Sequence, residues 1–196
     1  GNHRGAVLDI ASDESVQALL SDVQGNEGAP TIVINNAGIT RDSLLLRMKA
    51  EDWDSVLSTN LSGVYRVCKA CLRGMMKARH GRIISIASVV GIMGNPGQAN
   101  YAAGNAFLDA LAVHRRSAGL PAVALAWGPW SRVVGMTGSL SDVDVERIAR
   151  SGMPPLTPEQ GTALFDAALA ATAARAGRSV TLWARRPDVA RAINRT

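Results

Sequence analysis

Tyr101 stands four positions ahead of Asn105 in the stretch NYAAGNAF, with small residues between the two. On a helix, side chains at that spacing lie one above the other, roughly 5–6 Å apart at Cβ. A phenol held in this way can donate a proton to a bound group, provided that its neighbours lower its pKa from the ordinary value of about 10. The spacing therefore raises the question whether Asn105 can serve as that neighbour.

Further polar or small residues lie at or after the ends of apolar runs that we predict to be buried strands. Seven residues share this position: Asn35, Asn36, Gly38, Ser88, Gly128, Met136 and Thr137. Because open parallel sheets bind ligands beyond the carboxyl ends of their strands, we expect these residues to converge with Tyr101, which opens a helix after Ser88.

Asn60 lies on the apolar stripe of a predicted long helix, in phase with Val56 and Val64. A buried amide in such a stripe needs hydrogen-bond partners. Asn60 is therefore either a structural bridge or part of the site, and the pattern leaves both interpretations open.

The elements that must position these residues alternate along the chain. Five apolar runs are predicted strands: residues 6–10, 31–35, 81–88, 121–128 and 179–184. Continuous apolar strands separated by helices are typical of a parallel sheet covered on both faces. We therefore predict an α/β fold, a doubly wound, three-layer αβα sheet in a single domain spanning residues 1–196.

Helical patterns fill the intervals between the strands. Five helices are predicted: residues 12–24, 51–78, 98–118, 142–151 and a helix from 157 onward. The last one begins with Thr157 as N-cap, Pro158 in the first position and Gln160 closing a capping box.

Composition limits the class of protein. Of the 196 residues, 47% are apolar and 19% are charged, as in a globular domain. No apolar run approaches the roughly 18 residues of a membrane span, so we expect a soluble, cytoplasmic protein with no membrane partner. The net charge of +5 comes mainly from scattered arginines, which favours an acidic protein partner over nucleic acid.

Cys68 and Cys71 read CKAC within the predicted long helix. Two thiols without further cysteine or nearby histidine do not make a zinc site, and no other metal site is predicted. A redox pair usually begins a helix, where the thiolate is stabilised. We interpret both cysteines as ordinary reduced helix residues.

Longer stretches resemble a known family. NNAGITRDSLLLRM, TNLSGVYRVCKA and MMKARHGRIISIASVVGIMGNPGQANYAA resemble the bacterial β-ketoacyl-(acyl-carrier-protein) reductases of the short-chain dehydrogenase/reductase family, over about residues 5–103. Residues 95–194, with GQANYAAGNAFLDALAVHRRSAGLPAVALAWGPW, GMTGSLSD and SGMPPLTPEQGTALFDAALA, resemble the ketoreductase domains of modular polyketide synthases. The chain looks like a join of the two near Ala103.

The resemblance implies a Rossmann-like fold and NADPH-dependent reduction of a β-ketoacyl thioester on an acyl carrier protein. It implies that Tyr101 donates the proton, that Ser88 polarises the ketone oxygen and that Asn60 holds a water of the proton relay. The implied cofactor contacts are Asp9, Asn36, Ala37, Gly38, Gly128, Met136 and Thr137. Arg79, with Arg115 and Arg116, is the implied patch for the carrier protein, and the long helices could form a homo-oligomer.

Two features of the family are not found in this sequence. VLDIASDES aligns with the third strand of such folds, so strands 1 and 2 of the order 3-2-1-4-5-6-7, with their Gly-rich phosphate turn, are lacking. The strand at 6–10 would then need another partner, or the strand at 31–35 would become an exposed edge.

The second feature is the catalytic lysine. The reductases carry it at the position of Asn105, and the polyketide ketoreductases carry it at the position of Asn60, so neither place has a lysine here. We therefore expect the pKa of Tyr101 to remain high. The alternative hypotheses are an inactive or scaffolding relative and a fragment that needs a separate N-terminal segment.

Overall fold

The computed structural model describes residues 4–118, 122–131, 146, 149–150, 152 and 154–174. The chain divides into two compact units, Gly1–Trp127 and Gly128–Thr196. The predicted helix at 142–151 falls almost wholly outside the described residues, and the predicted strand at 179–184 falls outside them entirely.

The first unit is built on a three-stranded parallel sheet. Its strands are β1 (Ile32–Asn35), β2 (Arg82–Ser88) and β3 (Val123–Trp127), paired in the order β1-β2-β3. Val33 is in register with Ile83, and Ser85 is in register with Ala124. The parallel α/β class predicted from the sequence is confirmed.

Helices run between the strands, and their bounds follow the sequence pattern. They are α1 (Asp13–Asn26), α2 (Ala50–Leu57), α3 (Val64–Lys77), α4 (Val90–Met93) and α5 (Ala99–Ser117), with a short 3-10 helix at Leu45–Arg47. Ser12 caps α1, because its side chain accepts a hydrogen bond from the Ser15 backbone N–H at 3.2 Å.

One face of the sheet carries two apolar clusters of buried residues. A first apolar cluster joins Val16 and Leu20 of α1 with Val33, Cys71 and Met75. A second cluster joins the helices α3 and α5 through Val64, Ala87 and Leu108. Ile83 packs on the first cluster and Ala124 on the second, and the strand register puts all of these strand residues on one face.

On the opposite face, Ile32 and Ile34 are 49% and 43% exposed. Within the described residues β1 pairs only with β2, so it forms the exposed edge that the sequence analysis gave as one alternative. A second helix layer, and with it the complete αβα sandwich, stays a prediction.

The strand predicted at 6–10 is wrong. Residues 5–9 adopt no regular structure, and Val7 is 97% exposed. An extended segment becomes a strand only by pairing with a neighbour, and none pairs with it in the described structure. Instead, Arg4 forms ion pairs with Asp22 and Glu27.

The predicted helix at 51–78 is continuous but changes its winding in the middle. Between α2 and α3, residues Ser58–Gly63 form a π-helix that contains Asn60. Short π-helical segments are rare in proteins, and many of those known lie at functional sites. The backbone at Asn60 therefore marks this residue as a candidate, in addition to its position on the apolar stripe.

The second unit contains α6 (Pro158–Ala174). Its first turn forms the predicted capping box. The Thr157 hydroxyl accepts from the Gln160 backbone N–H at 3.2 Å, and the Thr157 backbone N–H donates to the Gln160 side-chain oxygen at 2.9 Å. A parallel bridge between Trp130 and Leu156 precedes the helix.

Both cysteines lie in α3 as free thiols, Cys71 within the core and Cys68 half-buried. In the described part of the chain, no helix combines the length and apolarity needed to cross a membrane.

Candidate active site

Ser88 and Tyr101 meet at the carboxyl end of β2. Ser88 is the last residue of this strand and is buried, and Tyr101 lies in the first turn of α5. The side chains of Ser88 and of Asn105, which lies one helical turn on, are both close enough to the Tyr101 phenol to lower its pKa. The Asn105 amide also donates to the Tyr101 carbonyl oxygen at 2.8 Å. The structure thus brings together three of the predicted residues.

Burial raises the pKa of Tyr101, and the side chains of Ser88 and Asn105 offset this only in part. The Asp42 carboxylate raises the pKa further. In the described part of the chain, the one charged side chain that acts on this phenol is therefore negative, whereas a proton donor with a lowered pKa needs a positive one. The shift has the direction expected for a tyrosine without the lysine.

Asn60 fastens the loop after β1 to the long helix. Its Oδ1 accepts from the Ile39 backbone N–H at 2.8 Å, and its Nδ2 donates to the Ile39 carbonyl oxygen at 2.9 Å. A Cβ on Gly38 would lie 3.4 Å from Asn60 Oδ1, and one on Gly104 would lie 3.7 Å from Asn60 Cβ. Asn60 is therefore a structural bridge between the loop after β1 and the long helix, and it packs beside Gly104, which lies one turn after Tyr101 in α5.

Gly91 allows α4 to approach α5 at the site. A Cβ at this position would come within 2.7 Å of the Ala106 backbone nitrogen and 2.8 Å of Asn105 Cβ. Any larger residue would push α4, which follows Ser88, away from the helix that carries Tyr101.

Sequence reasoning missed a second buried amide, Asn100. It is fully buried, and its Nδ2 donates to the carbonyl oxygens of Arg41 and Asp52 at 3.1 and 3.3 Å. Its Oδ1 accepts from the Tyr101 backbone N–H at 2.8 Å. It therefore fixes the start of α5 and with it the tyrosine. The sequence signal that could have pointed to Asn100 is its position directly before Tyr101 at the start of the helix.

Asp42 was missed as well, because nothing in its sequence context distinguishes it from an exposed loop residue. The Gln98 amide donates to its carboxylate at 2.9 Å, and the Ser43 backbone N–H donates to the Gly97 carbonyl oxygen at 2.8 Å. These bonds tie the loop after β1 to the segment before α5 and bring a negative charge near Tyr101.

Three of the predicted cofactor residues lie together after β1. Asn36 and Ala37 follow β1 and are exposed, and Gly38 is held against Asn60. This exposed segment lies at the carboxyl edge of the sheet, where open parallel sheets bind their ligands. Among the described residues, no Gly-rich turn opens a helix beside it, so the pyrophosphate has no cradle there.

The other four predicted cofactor residues lie in three different parts of the chain. Asp9 forms a local turn, in which its carboxylate accepts from the Ala11 backbone N–H at 2.8 Å. Gly128 begins the second unit. Met136 and Thr137 lie outside the described residues.

The family model described as "KR domain" matches residues 4–132. A 3-oxoacyl-(acyl-carrier-protein) reductase of Pseudomonas aeruginosa is 62% identical over 105 residues, which are 54% of this chain and 42% of the relative. A reductase of the same name from Escherichia coli K12 is 47% identical over 145 residues, 72% of this chain and 59% of the relative.

A spectinabilin polyketide synthase system protein of Streptomyces orinoci is 43% identical over 168 residues, which are 86% of this chain and 8% of that protein. The two reductases match the first resemblance read from the sequence, and the polyketide synthase protein matches the second. The chain spans about half the length of the two reductases, 42% and 59%.

Proposed function

Because the chain belongs to the KR domain family, we propose that it reduces a β-ketoacyl thioester, carried on an acyl carrier protein, to the β-hydroxyacyl thioester, with NADPH as the hydride donor. The observation that carries this proposal is the proximity of two hydroxyl groups, those of Ser88 and Tyr101, at the carboxyl edge of a parallel sheet. The names of the relatives support the substrate class.

Each side chain has a distinct role in this reaction. The Tyr101 phenol donates its proton to the ketone oxygen, and the Ser88 hydroxyl donates a hydrogen bond to the same oxygen as negative charge develops on it. NADPH, when bound, supplies the hydride to the carbonyl carbon. Asn36, Ala37 and Gly38 would hold its nucleoside end.

Asn60 and Asn105 support the Ser88–Tyr101 pair and do not contact the substrate. Asn60 keeps one lone pair and one amide hydrogen beyond its two bonds to Ile39, enough to hold a water of the proton relay. Asn105 orients the phenol but carries no charge to lower its pKa.

The function is tested by following the hydride. The chain, joined to a dinucleotide-binding N-terminal segment so that weak cofactor binding does not hide the reaction, is incubated with a β-ketoacyl thioester and NADPH deuterated at the transferable position. The product is analysed by mass spectrometry. Deuterium at the β-carbon of the hydroxyacyl thioester is the expected result. Its absence on a carrier-protein-bound substrate as well would contradict the proposal.

A non-catalytic relative is the second candidate, and the raised pKa of Tyr101 favours it. A scaffolding protein of this kind would bind the carrier protein without turnover. Deuterium transfer separates the two candidates directly, because only the reductase puts the label into the product.

The 196 residues are expected to bind NADPH very weakly. Main-chain donors and a helix N-terminus would stabilise the pyrophosphate charge, and the described part of the chain offers no such turn beside β1. We expect titration calorimetry to detect no binding at micromolar concentrations. Binding in the micromolar range would mean that another element replaces the turn.

The patch of Arg79, Arg115 and Arg116 is proposed to dock the acidic carrier protein. In the described residues none of the three forms an ion pair, although Arg116 donates to the Ala122 carbonyl oxygen at 3.4 Å. Reversing Arg79 and Arg116 to glutamate is expected to weaken carrier-protein binding and flatten its salt dependence. Surface plasmon resonance at several salt concentrations measures both.

The matched control for these reversals is the pair Arg47→Glu and Arg73→Glu, both at exposed positions. It changes the net charge equally but leaves the patch intact. Equal losses of affinity in the two double variants would show a general charge effect and would argue against docking at Arg79 and Arg116.

Self-association through the long helices is proposed from their exposed apolar side chains. Five such side chains share the outer surface of α3 and α5: Tyr65, Leu72, Met76, Phe107 and Leu111. A group of large apolar side chains on neighbouring helices favours contact with another protein surface. Sedimentation velocity at several protein concentrations tests this.

A further inference from the structure

Two short segments beside the candidate active site expose large apolar side chains. Leu44, Leu45 and Leu46 come from the loop after β1, and Ile92 and Met93 come from the end of α4. All five side chains are between 57% and 96% exposed. We call this group the apolar rim. Large apolar side chains that are exposed as a group, unlike those exposed singly, mark a binding surface.

Contacts between two loops hold the segments of the apolar rim together. The Ser43 backbone N–H, directly before Leu44, donates to the Gly97 carbonyl oxygen at 2.8 Å. Gly94 ends α4 with a φ of +71°, a left-handed conformation that glycine adopts without strain, and the chain turns there into the segment that carries Gly97. A Cβ on Gly97 would lie 3.8 Å from the Ser43 carbonyl carbon, so the two loops touch.

Both segments of the apolar rim are anchored near the two hydroxyl groups of the site. The helix α4 follows Ser88, whose hydroxyl accepts from the Val90 backbone N–H at 3.3 Å at the start of that helix. In the loop after β1, the Asp42 carboxylate accepts from the Gln98 amide at 2.9 Å, three residues before Tyr101. The rim therefore borders the place where the two hydroxyl groups would hold a ketone.

We propose that the apolar rim binds the acyl tail of the β-ketoacyl thioester and that the site therefore selects longer chains over short ones. This inference rests on the function proposed above and adds the chain length of the substrate to it. With the ketone at the two hydroxyl groups, the tail lies along Leu45, Leu46 and Met93. An alkyl chain is the matching occupant, because these side chains remove methylene groups from water and offer a polar or charged group no ion pair.

The dependence of turnover on chain length is the first test. The chain, joined to a dinucleotide-binding N-terminal segment, is assayed with the acetoacetyl and the β-ketodecanoyl thioesters of N-acetylcysteamine, both at monomeric concentrations. We expect kcat/KM to be about ten-fold or more higher for the β-ketodecanoyl thioester, since each methylene group that leaves water adds to binding. Equal values for the two thioesters would overturn the chain-length proposal and leave the reductase function intact.

A variant of the apolar rim tests where the tail binds. Leu46→Ser is expected to reduce the ratio of the two kcat/KM values by about three-fold or more, and at 96% exposure this leucine contributes little to stability. Val113→Ser is the matched control. Val113 is 56% exposed and lies about 18 Å along α5 from Tyr101, so the ratio should not change. Equal losses in the two variants would contradict a tail site at the rim.

Nuclear magnetic resonance gives a readout that does not need turnover. The ε-methyl resonance of Met93 is followed in a carbon-13 methyl-labelled chain and is assigned by its loss in Met93→Ser. We expect the β-ketodecanoyl thioester to shift this resonance saturably and the acetoacetyl thioester to shift it far less. An unchanged resonance would overturn the tail site, whereas a failure to reduce either thioester would count against the reductase function alone.

The same spectra test a different occupant of the apolar rim. If the Met93 resonance moves with protein concentration in the absence of any thioester, a second copy of the chain covers the rim and the proposal is wrong.

Discussion

Replacing Asn60 by alanine is expected to lower the free energy of unfolding by about 2–5 kcal/mol. The substitution leaves the Ile39 backbone N–H and carbonyl oxygen without the two partners that they have now, at 2.8 and 2.9 Å. Each buried group left unsatisfied costs about 1–3 kcal/mol. Urea denaturation followed by circular dichroism measures the change.

Asn26→Ala is the matched control, because the Asn26 amide also makes two hydrogen bonds, both to Asp22. Those bonds lie on an exposed helix end, where water replaces the lost partner, so we expect a change within about 0.5 kcal/mol. If Asn60→Ala is as mild as this control, the loop after β1 is not held by the bridge.

The parts of the fold that follow from local chemistry were predictable from the sequence. The capping box at Thr157 and Gln160 and the N-cap at Ser12 depend on residues within one turn, and both are present. The strands at 31–35 and 81–88 are confirmed, because apolar β-branched runs between helices have few alternatives. The predicted burial of the first strand is wrong, since Ile32 and Ile34 lie exposed on an edge.

The strand at 6–10 was not predictable in the same way, because strand formation depends on a partner elsewhere in the chain. The same five residues, AVLDI, would form a strand beside a neighbour and an irregular segment without one. The π-helix at Ser58–Gly63 was not predicted either, because its residues fit the same apolar periodicity as the α-helix on both sides.

The site residues also separate into those set by local sequence and those set by distant contacts. Ser88, Tyr101 and Asn105 were predictable because strand ends and helix spacing place them. Asn100 and Asp42 were not, because their importance comes from contacts with loop backbone and with Gln98, far away in the sequence. Hydrogen bonds between loops leave no periodic pattern that a single sequence could reveal.

The structure also distinguishes the two possible places for a lysine. Asn60→Lys copies the polyketide arrangement but removes both hydrogen bonds to Ile39. Asn105→Lys removes a single bond, from the Asn105 amide to the Tyr101 carbonyl oxygen in the same helix, besides its contact with the phenol. A cation is therefore better tolerated at position 105, and Asn60→Lys is expected to lose stability much as Asn60→Ala does.

Asn105→Lys is expected to raise the rate of ketone reduction by roughly 10²-fold or more, within the ~10²–10⁴-fold range of a positioned general acid. The added positive charge, one turn from Tyr101, opposes both the burial and the Asp42 carboxylate that now raise the pKa of the phenol. The assay is NADPH oxidation with a β-ketoacyl thioester. It is run on the chain joined to a dinucleotide-binding N-terminal segment, so that weak cofactor binding does not limit the rate.

The pKa itself gives a second readout, independent of turnover. Ultraviolet titration of tyrosine ionisation, with Tyr101→Phe as the background, should show Asn105→Lys shifting the Tyr101 transition to lower pH. Since the protonated phenol is the donor, the rate of this variant should fall as the pH rises through that lower pKa, earlier than in the parent chain. Asn105→Met, an uncharged residue of about the length of lysine, should not raise the rate and should move the Tyr101 transition to higher pH, because it removes the side chain that now lowers this pKa. If the parent chain already reduces the thioester as fast as the lysine variant, Asn105 is a sufficient neighbour and the charge is not what the site lacks.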